Sequence, residues 1–288
     1  MTTETTQFKE RKISTFDNLS LYVKDYGNPL SSLTPILCLS GLTRTSMDFE
    51  KFAELHSGNG RRIICPDYRG RGLSQYDPQW RNYNPQVYLQ DIQDILAALN
   101  IHNIIIVGTS LGGLLGMGMA VTTPSSMTGL IINDIGPEIE VGGLKNIIDY
   151  IKVDRCYADL QSAFVAITTS FPNLKFQNEK MLFEVVKNTF RECENGTFRF
   201  NWDVKIVKEL LQKNYVIPDL WTLFRSLNKI PTLCIRGSCS DMLSVRCFHQ
   251  MKFEKSDLHT VEVPDTGHAP TLTEPEAIEA LDSFIARF

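Results

Sequence analysis

Ile104-Ile105-Ile106-Val107-Gly108-Thr109-Ser110-Leu111-Gly112 is the stretch on which the reading of this chain turns. Its first half is a short, continuous apolar run, the mark of a strand buried on both faces. Gly108 ends the strand, and a helix rich in small residues is expected from Ser110 to about Val121. Gly-x-Ser-x-Gly thus falls between a buried strand and a helix, the context in which the pattern has a mechanism. The chain must reverse within a few residues, which strains the backbone at Ser110. A Cβ at Gly108 or Gly112 would crowd the turn. The reversal lifts the Ser110 hydroxyl above the sheet edge, at a helix N-terminus where the Leu111 N–H faces developing negative charge. The competing reading makes Ser110 a helix cap in a glycine-rich turn.

Outward from this turn the pattern repeats. Residues 12–25 read as two strands about Asp17-Asn18. Pro35 to Ser40 is an apolar run stopped by Gly41, residues 46–56 look helical, and Arg62 to Pro66 is a strand ending in Asp67-Tyr68-Arg69-Gly70-Arg71-Gly72. Pro85 opens an amphipathic helix carrying Val87, Ile92, Ile95, Leu96 and Leu99, and proline suits a first helical turn. Met127 to Asn133 is a further strand, broken by Asp134-Ile135-Gly136-Pro137. Alternating strands and helices predict an α/β fold with a mostly parallel sheet covered by helices on both faces.

From Glu138 to Leu227 the reading changes: no good strand is visible. Helical spacing recurs around Leu144–Ile151, Leu160–Ile167, Leu182–Phe190 and Val204–Leu211. The α/β pattern resumes at Pro231–Gly237, His259–Val263 and a helix from Pro275 to Phe288. The chain therefore divides into a core, residues 1–137 and 228–288, and a helical insertion, residues 138–227.

A serine hydroxyl needs a base. Of the five histidines, His56 ends a helix, His102 precedes the central strand, His249 lies in the helical stretch after Asp241 and His259 begins a strand, places suited to surface or packing roles. His268 lies in Pro264-Asp265-Thr266-Gly267-His268-Ala269-Pro270, past the C-terminal end of the last strand, and parallel strands bring such ends to one edge with Ser110. The base needs an acid to fix its tautomer. Asp241, in Arg236-Gly237-Ser238-Cys239-Ser240-Asp241-Met242, is the expected acid and keeps the order Ser, Asp, His. Its rivals are Asp134, at the end of the strand after Ser110, and Asp265, beside His268. The backbone N–H groups of Leu42, after Ser40-Gly41, and Leu111 are the expected oxyanion donors.

Composition restricts the alternatives. The chain has 288 residues and a formal net charge of −4. No basic excess suggests nucleic acid, and no apolar stretch approaches the roughly 18 residues of a membrane span. The polar Met1 to Arg11 has no apolar signal region, so a cytoplasmic protein is expected. Seven cysteines without a Cys-x-x-Cys pair read as reduced, and Cys38, Cys65 and Cys234 as small core hydrophobes. No metal or organic cofactor is implied; the expected partner is a small-molecule substrate.

Five pieces in order now resemble the α/β-hydrolase fold superfamily: Leu39-Ser40-Gly41-Leu42, Asp67 through Ser74, the turn at Ser110, Arg236 through Asp241, and Gly267-His268. The resemblance spans about residue 12 to 288 and implies an eight-stranded sheet with the insertion as a cap that sets substrate choice. Within the superfamily the chain looks like bacterial carboxylesterases. Enol-lactonases and C–C bond hydrolases of ring-cleavage diketones belong to the same broad group. Asp134-Ile135-Gly136-Pro137-Glu138 is similar to a stretch common in its bacterial members. Ser40 stands where the family usually has His, which leaves the backbone donor in place. Ser110 excludes the branches with an Asp nucleophile, haloalkane dehalogenases and epoxide hydrolases. Leu111 departs from the Trp common in cofactor-free haloperoxidases. The implied activity is hydrolysis of a small carboxylic ester, lactone or thioester through an acyl-enzyme. C–C bond hydrolysis and ligand sensing without turnover are the alternatives. Arg44 is a candidate for binding a substrate carboxylate. Most aromatic residues of the insertion should pack between helices, with Trp221 a candidate for contacting substrate.

Overall fold

The computed structural model describes residues 8–171, 174–212 and 219–288. The first seven residues of the polar N-terminal stretch lie outside them. The core elements are β1 (Phe8–Ser14), β2 (Ser20–Tyr26), β3 (Ile36–Leu39), α1 (Glu50–Ser57), β4 (Ile63–Pro66), α2 (Pro85–Ala98), β5 (Ile104–Thr109), α3 (Leu111–Thr122) and β6 (Met127–Asn133). The inserted segment contributes α4 (Val141–Ile151), β7 (Cys156–Tyr157), α5 (Leu160–Ser170), α6 (Glu179–Thr189), β8 (Phe190–Glu192), β9 (Phe198–Phe200) and α7 (Leu220–Arg225). The core closes with β10 (Thr232–Gly237), α8 (Val245–Glu254), β11 (His259–Val263) and α9 (Pro275–Ile285).

Eight strands form one sheet in the order β1-β2-β4-β3-β5-β6-β10-β11. β1 and β2 pair antiparallel, as do β2 and β4; the rest of the sheet is parallel. Strand pleating sends alternate side chains to opposite faces. Leu37, Ile106 and Ile132 pack on one side with Ile92 and Ile95 of α2 and Leu115 of α3. Cys38, Ile105 and Val107 pack on the other with Phe52 of α1 and Leu281 and Phe284 of α9. Both faces are dry, which is why the central strands read as unbroken apolar runs. Among the described residues no helix is long and apolar enough to cross a membrane.

The insertion differs from its sequence reading in three respects, the simplest being the short helix α7, which the spacing did not show. β7, β9 and β8 form a small antiparallel sheet where no strand was expected; runs of two or three residues are too short to show a two-residue period. The expected fourth helix shrinks to a single 3₁₀ turn, Val204–Val207. The chain just before it is held extended against the core: Gly72 N–H donates to Asn201 C=O at 2.9 Å and Asp203 N–H to Gly70 C=O at 2.8 Å.

Candidate active site

Ser110 lies between β5 and α3 with φ +53° and ψ −114°, a left-handed backbone that side chains seldom adopt. Its N–H donates to Asn133 C=O at 3.0 Å, which ties the turn to the end of β6. The steric reason for the flanking glycines holds. A Cβ on Gly108 would run into the Gly112 carbonyl, and one on Gly112 into the Leu39 carbonyl. The Ser110 side chain makes no capping hydrogen bond to α3, so it is not spent as a cap.

His268 meets Asp134 rather than Asp241. The His268 Nδ1 lies 2.8 Å from Asp134 Oδ2, and the Asp134 side chain is fully buried. Gly237 N–H donates to the other oxygen, Oδ1, at 2.8 Å, and the Ser240 hydroxyl donates to Oδ2 at 2.6 Å. Ser240 Oγ in turn accepts from Met242 and Leu243 N–H at 3.2 and 3.1 Å. A carboxylate gripped by backbone, hydroxyl and imidazole is fixed in direction, and the imidazole with it. Asp134 directly follows β6, which lies between β5 and β10, so it stands between the Ser110 turn and the loop after β10. Its φ of +58° swings the side chain out of the strand direction. Asp241, one residue beyond Ser240, is exposed on the cavity wall without a hydrogen bond among the described residues. Asp265, the other rival, is a turn residue with φ +50°. Asn133 completes the frame, donating from Nδ2 to Thr109 Oγ1 at 3.0 Å and to Pro270 C=O at 2.8 Å, so the ends of β5 and β6 and the histidine loop are stitched together.

The loop Ser40-Gly41-Leu42 follows β3, the other neighbour of β5, and Gly41 lies against Ser110. Neither Leu42 N–H nor Leu111 N–H has a hydrogen-bond partner among the described residues. Ser40 is buried, its hydroxyl donating to Arg44 C=O at 3.1 Å, so it braces the loop. The loop is held from beneath by Arg71, whose side chain is wholly buried without a carboxylate partner among the described residues. Its Nε donates to Leu42 C=O at 3.1 Å and its Nη1 to Arg69 C=O and Tyr88 Oη at 2.8 and 2.7 Å. The guanidinium lies 4.8–5.8 Å from the ring centres of Tyr68, Tyr83 and Tyr88, a cation–π cage in place of an ion pair. The neighbouring Arg69 takes the carboxylates instead: Asp17, Asp77 and Asp91.

Ser110 and His268 line one cavity of about 350 Å³. Its floor is the sheet edge with Gly41, Leu42 and Thr109. Its walls come from the insertion, with Ile147, Tyr150, Ile167, Phe171, Val186 and Trp202 prominent. A serine in a strained strand-to-helix turn, an imidazole oriented by a buried carboxylate, and two N–H groups without partners among the described residues share one sheet edge, an arrangement able to support acyl transfer.

Residues 34–275 match the α/β-hydrolase fold family. The chain belongs to that family. It is an enzyme of the hydrolase class. A crystal structure of an α/β hydrolase from Novosphingobium aromaticivorans superposes with a TM-score of 0.90 at 34% identity, covering 98% of this chain and 99% of that one. A 3-hydroxybutyrate-oligomer hydrolase of Cupriavidus necator is 28% identical over 269 residues, 90% of each chain. A 2-(acetamidomethylene)succinate hydrolase of Mesorhizobium japonicum is 23% identical over 270 residues, 93% of this chain and 92% of the relative.

Within this α/β hydrolase, two residues singled out in the sequence are placed otherwise than expected. Trp221 is not on the cavity wall. Its Nε1 donates to Glu138 at 3.0 Å, and its ring packs edge-on to Phe224, so it closes the base of the insertion. Arg44 does line the cavity, but its Nε and Nη2 hold both oxygens of Asp48, each at 2.6 Å. Its Nη2 also donates to Val185 C=O at 3.0 Å, and its Nη1 to Thr189 Oγ1, both on α6. Sequence reasoning gave Asp134 second place and did not single out Asn133, Ser240 or Arg71 for the site. The one available signal for Asp134 was its position directly after a fully buried strand that Gly136-Pro137 then terminates.

Proposed function

We propose that this hydrolase cleaves a carboxylic ester through an acyl-enzyme on Ser110, with His268 as base and Asp134 as the acid that orients it. The observation that carries the proposal is the His268–Asp134 contact, 2.8 Å long and wholly buried on its acid side, at a cavity shared with Ser110. Nδ1 is committed to Asp134, which leaves Nε2 for the serine proton. Ser110 Oγ attacks the acyl carbon and its proton passes to Nε2. The C–O bond to the alcohol breaks and the alcohol departs with that proton. Water then attacks the acyl-serine, giving its proton to Nε2, and Ser110 leaves reprotonated as the acid product dissociates. The N–H groups of Leu42 and Leu111 hold the oxyanion in both halves. Support for an ester comes from the relative named for hydrolysing 3-hydroxybutyrate oligomers. The insertion acts as a cap, residues 138–227, whose side chains meet the acyl group.

A fluorophosphonate probe tests this. Covalent labelling is expected on Ser110, lost in Ser110→Ala together with turnover of aryl esters, by at least about 10³-fold. Undiminished ester turnover by Ser110→Ala would overturn the proposal.

A further inference from the structure

We infer that the cavity is built for an uncharged acyl group and discriminates against carboxylated ones, because the half-buried cation on its wall is neutralised from within. The inference rests on the ester-hydrolase reading and adds to it the class of substrate. Arg44 is the cavity-lining arginine, and on sequence it is the natural anchor for a carboxylate. A guanidinium has five N–H donors. Four of them are committed: two to Asp48, one to Val185 C=O and one to Thr189 Oγ1. Asp48 takes the fork-on-fork geometry that an incoming carboxylate would need. Displacing it would strand the Asp48 carboxylate, whose side chain is itself only 25% exposed, and would release α6 from the core.

The other charges on the wall point the same way. Glu50 is held by Lys24. Glu184 and Asp241 have no ion-pair partner among the described residues, and the one further cation, Lys51, is exposed, where solvent screens it. The insertion's side of the wall is mostly apolar, its polar members Asn146, Ser170, Glu184, Asn188 and Thr189 bring no cation, and a carboxylate pressed against it loses its hydration without gaining a counter-ion. Arg44 therefore serves as a latch between the loop after β3 and α6, with its charge spent on Asp48.

Two p-nitrophenyl esters of equal chain length test this, one hexanoyl and one with a terminal carboxylate, the adipoyl monoester. The wild type is expected to favour the hexanoyl ester in kcat/KM by at least about tenfold, as an unpaired charge on an apolar wall requires. Asp48→Asn, which frees the guanidinium, should narrow that ratio several-fold, whereas Asp48→Glu should keep it. Arg44→Gln should not single out the carboxylated ester for loss. A wild type that handles both esters equally overturns the inference and leaves the ester-hydrolase reading standing, as does selective loss of the carboxylated ester in Arg44→Gln. A preference that Asp48→Asn leaves unchanged overturns the role given to the ion pair. The more basic failure is separate: no fluorophosphonate labelling and no turnover of either ester removes both readings at once.

Discussion

Asp134 sits at φ +58° with a side chain that solvent does not reach, a conformation a non-glycine residue keeps only where its surroundings hold it. Three donors do so: Gly237 N–H, the Ser240 hydroxyl and His268. Asp134→Asn is nearly isosteric but presents an amide to Nδ1 and favours the wrong tautomer. A loss of kcat of about 10⁴-fold is expected, as for an orienting acid in other triads. Asp241→Asn should stay within about threefold, since Asp241 touches neither His268 nor Ser110 in a hydrogen bond. Steady-state ester hydrolysis by the two variants, with folding checked by circular dichroism, decides between the carboxylates; the reverse ranking would return the role to Asp241. Ser110 and His268 were legible in the sequence as neighbours at one sheet edge because each lies in a short motif bracketed by strand and breaker. The carboxylate that meets His268 was not, because Asp134 and Asp241 both follow a strand and both fall between Ser110 and His268. What separates them is a positive φ and the adjacency of β6 to β5 and β10, neither of which is written in local sequence. Arg44 misled for a related reason: its partner Asp48 lies four residues on, but sequence gives no sign that the pair closes on itself.

At the scale of elements, the glycine-rich turn after β4 does more than reverse the chain. Through Arg71 it carries the Leu42 carbonyl, and thereby the loop whose N–H is assigned to the oxyanion. A lysine ends in one compact ammonium and cannot hold two carbonyls and the Tyr88 oxygen in the same plane. Arg71→Lys should therefore lower kcat by about 10- to 100-fold, short of the 10²–10³ typical of a lost oxyanion donor, with KM nearly unchanged. A boronate transition-state analogue should weaken in parallel. A fall in melting temperature with kcat intact would mean that Arg71 only packs. A second element pair titrates. His56, at the end of α1, is buried against Phe52 with ring centres 4.3 Å apart, and its Nδ1 is 3.7 Å from Asp282 on α9. Burial pushes its pKa below the ordinary value, and Asp282 offsets this only in part. The unfolded imidazole thus takes a proton more readily than the folded one. The stability contribution is complete above the unfolded pKa of about 6.5 and is lost as pH falls below it. Melting temperatures at pH 8 and 5.5 should fall more steeply in the wild type than in His56→Phe; equal slopes would remove His56 from the account.

At the scale of the whole molecule, the core was legible almost throughout because both faces of its sheet are buried. Each central strand is a short apolar run, and two of the core helices open on a capping side chain, Asn84 before Pro85 in α2 and Ser244 before α8. The insertion was less so. Its strands are two or three residues long, one of them, β7, pairs with a partner some forty residues on, and the chain before Val204 is fixed by hydrogen bonds to the core. That dependence has a thermodynamic consequence. The apolar cluster on the α2–α3 face of the sheet continues without interruption into Tyr150, Phe190, Phe200 and Trp202. Phe200 lies at its centre, with ring centres 4.3 Å from Trp202, 5.5 Å from Phe190 and 5.6 Å from Tyr150. Backbone hydrogen bonds between residues 201 and 203 and the turn at 70–72, and the Gly267 N–H donating to Lys175 C=O, fasten the same segment to the core at two places. Core and insertion should consequently unfold together. Phe200→Ala should cost about 3–5 kcal/mol by removing a fully buried ring. At roughly 2–4 °C per kcal/mol for a chain of this size, the melting temperature should drop by roughly 6–20 °C. In scanning calorimetry that drop should move one transition as a whole, with calorimetric and van't Hoff enthalpies remaining equal. An insertion that folded independently would instead split the trace, a new low-temperature peak appearing while the core peak stayed at the wild-type temperature.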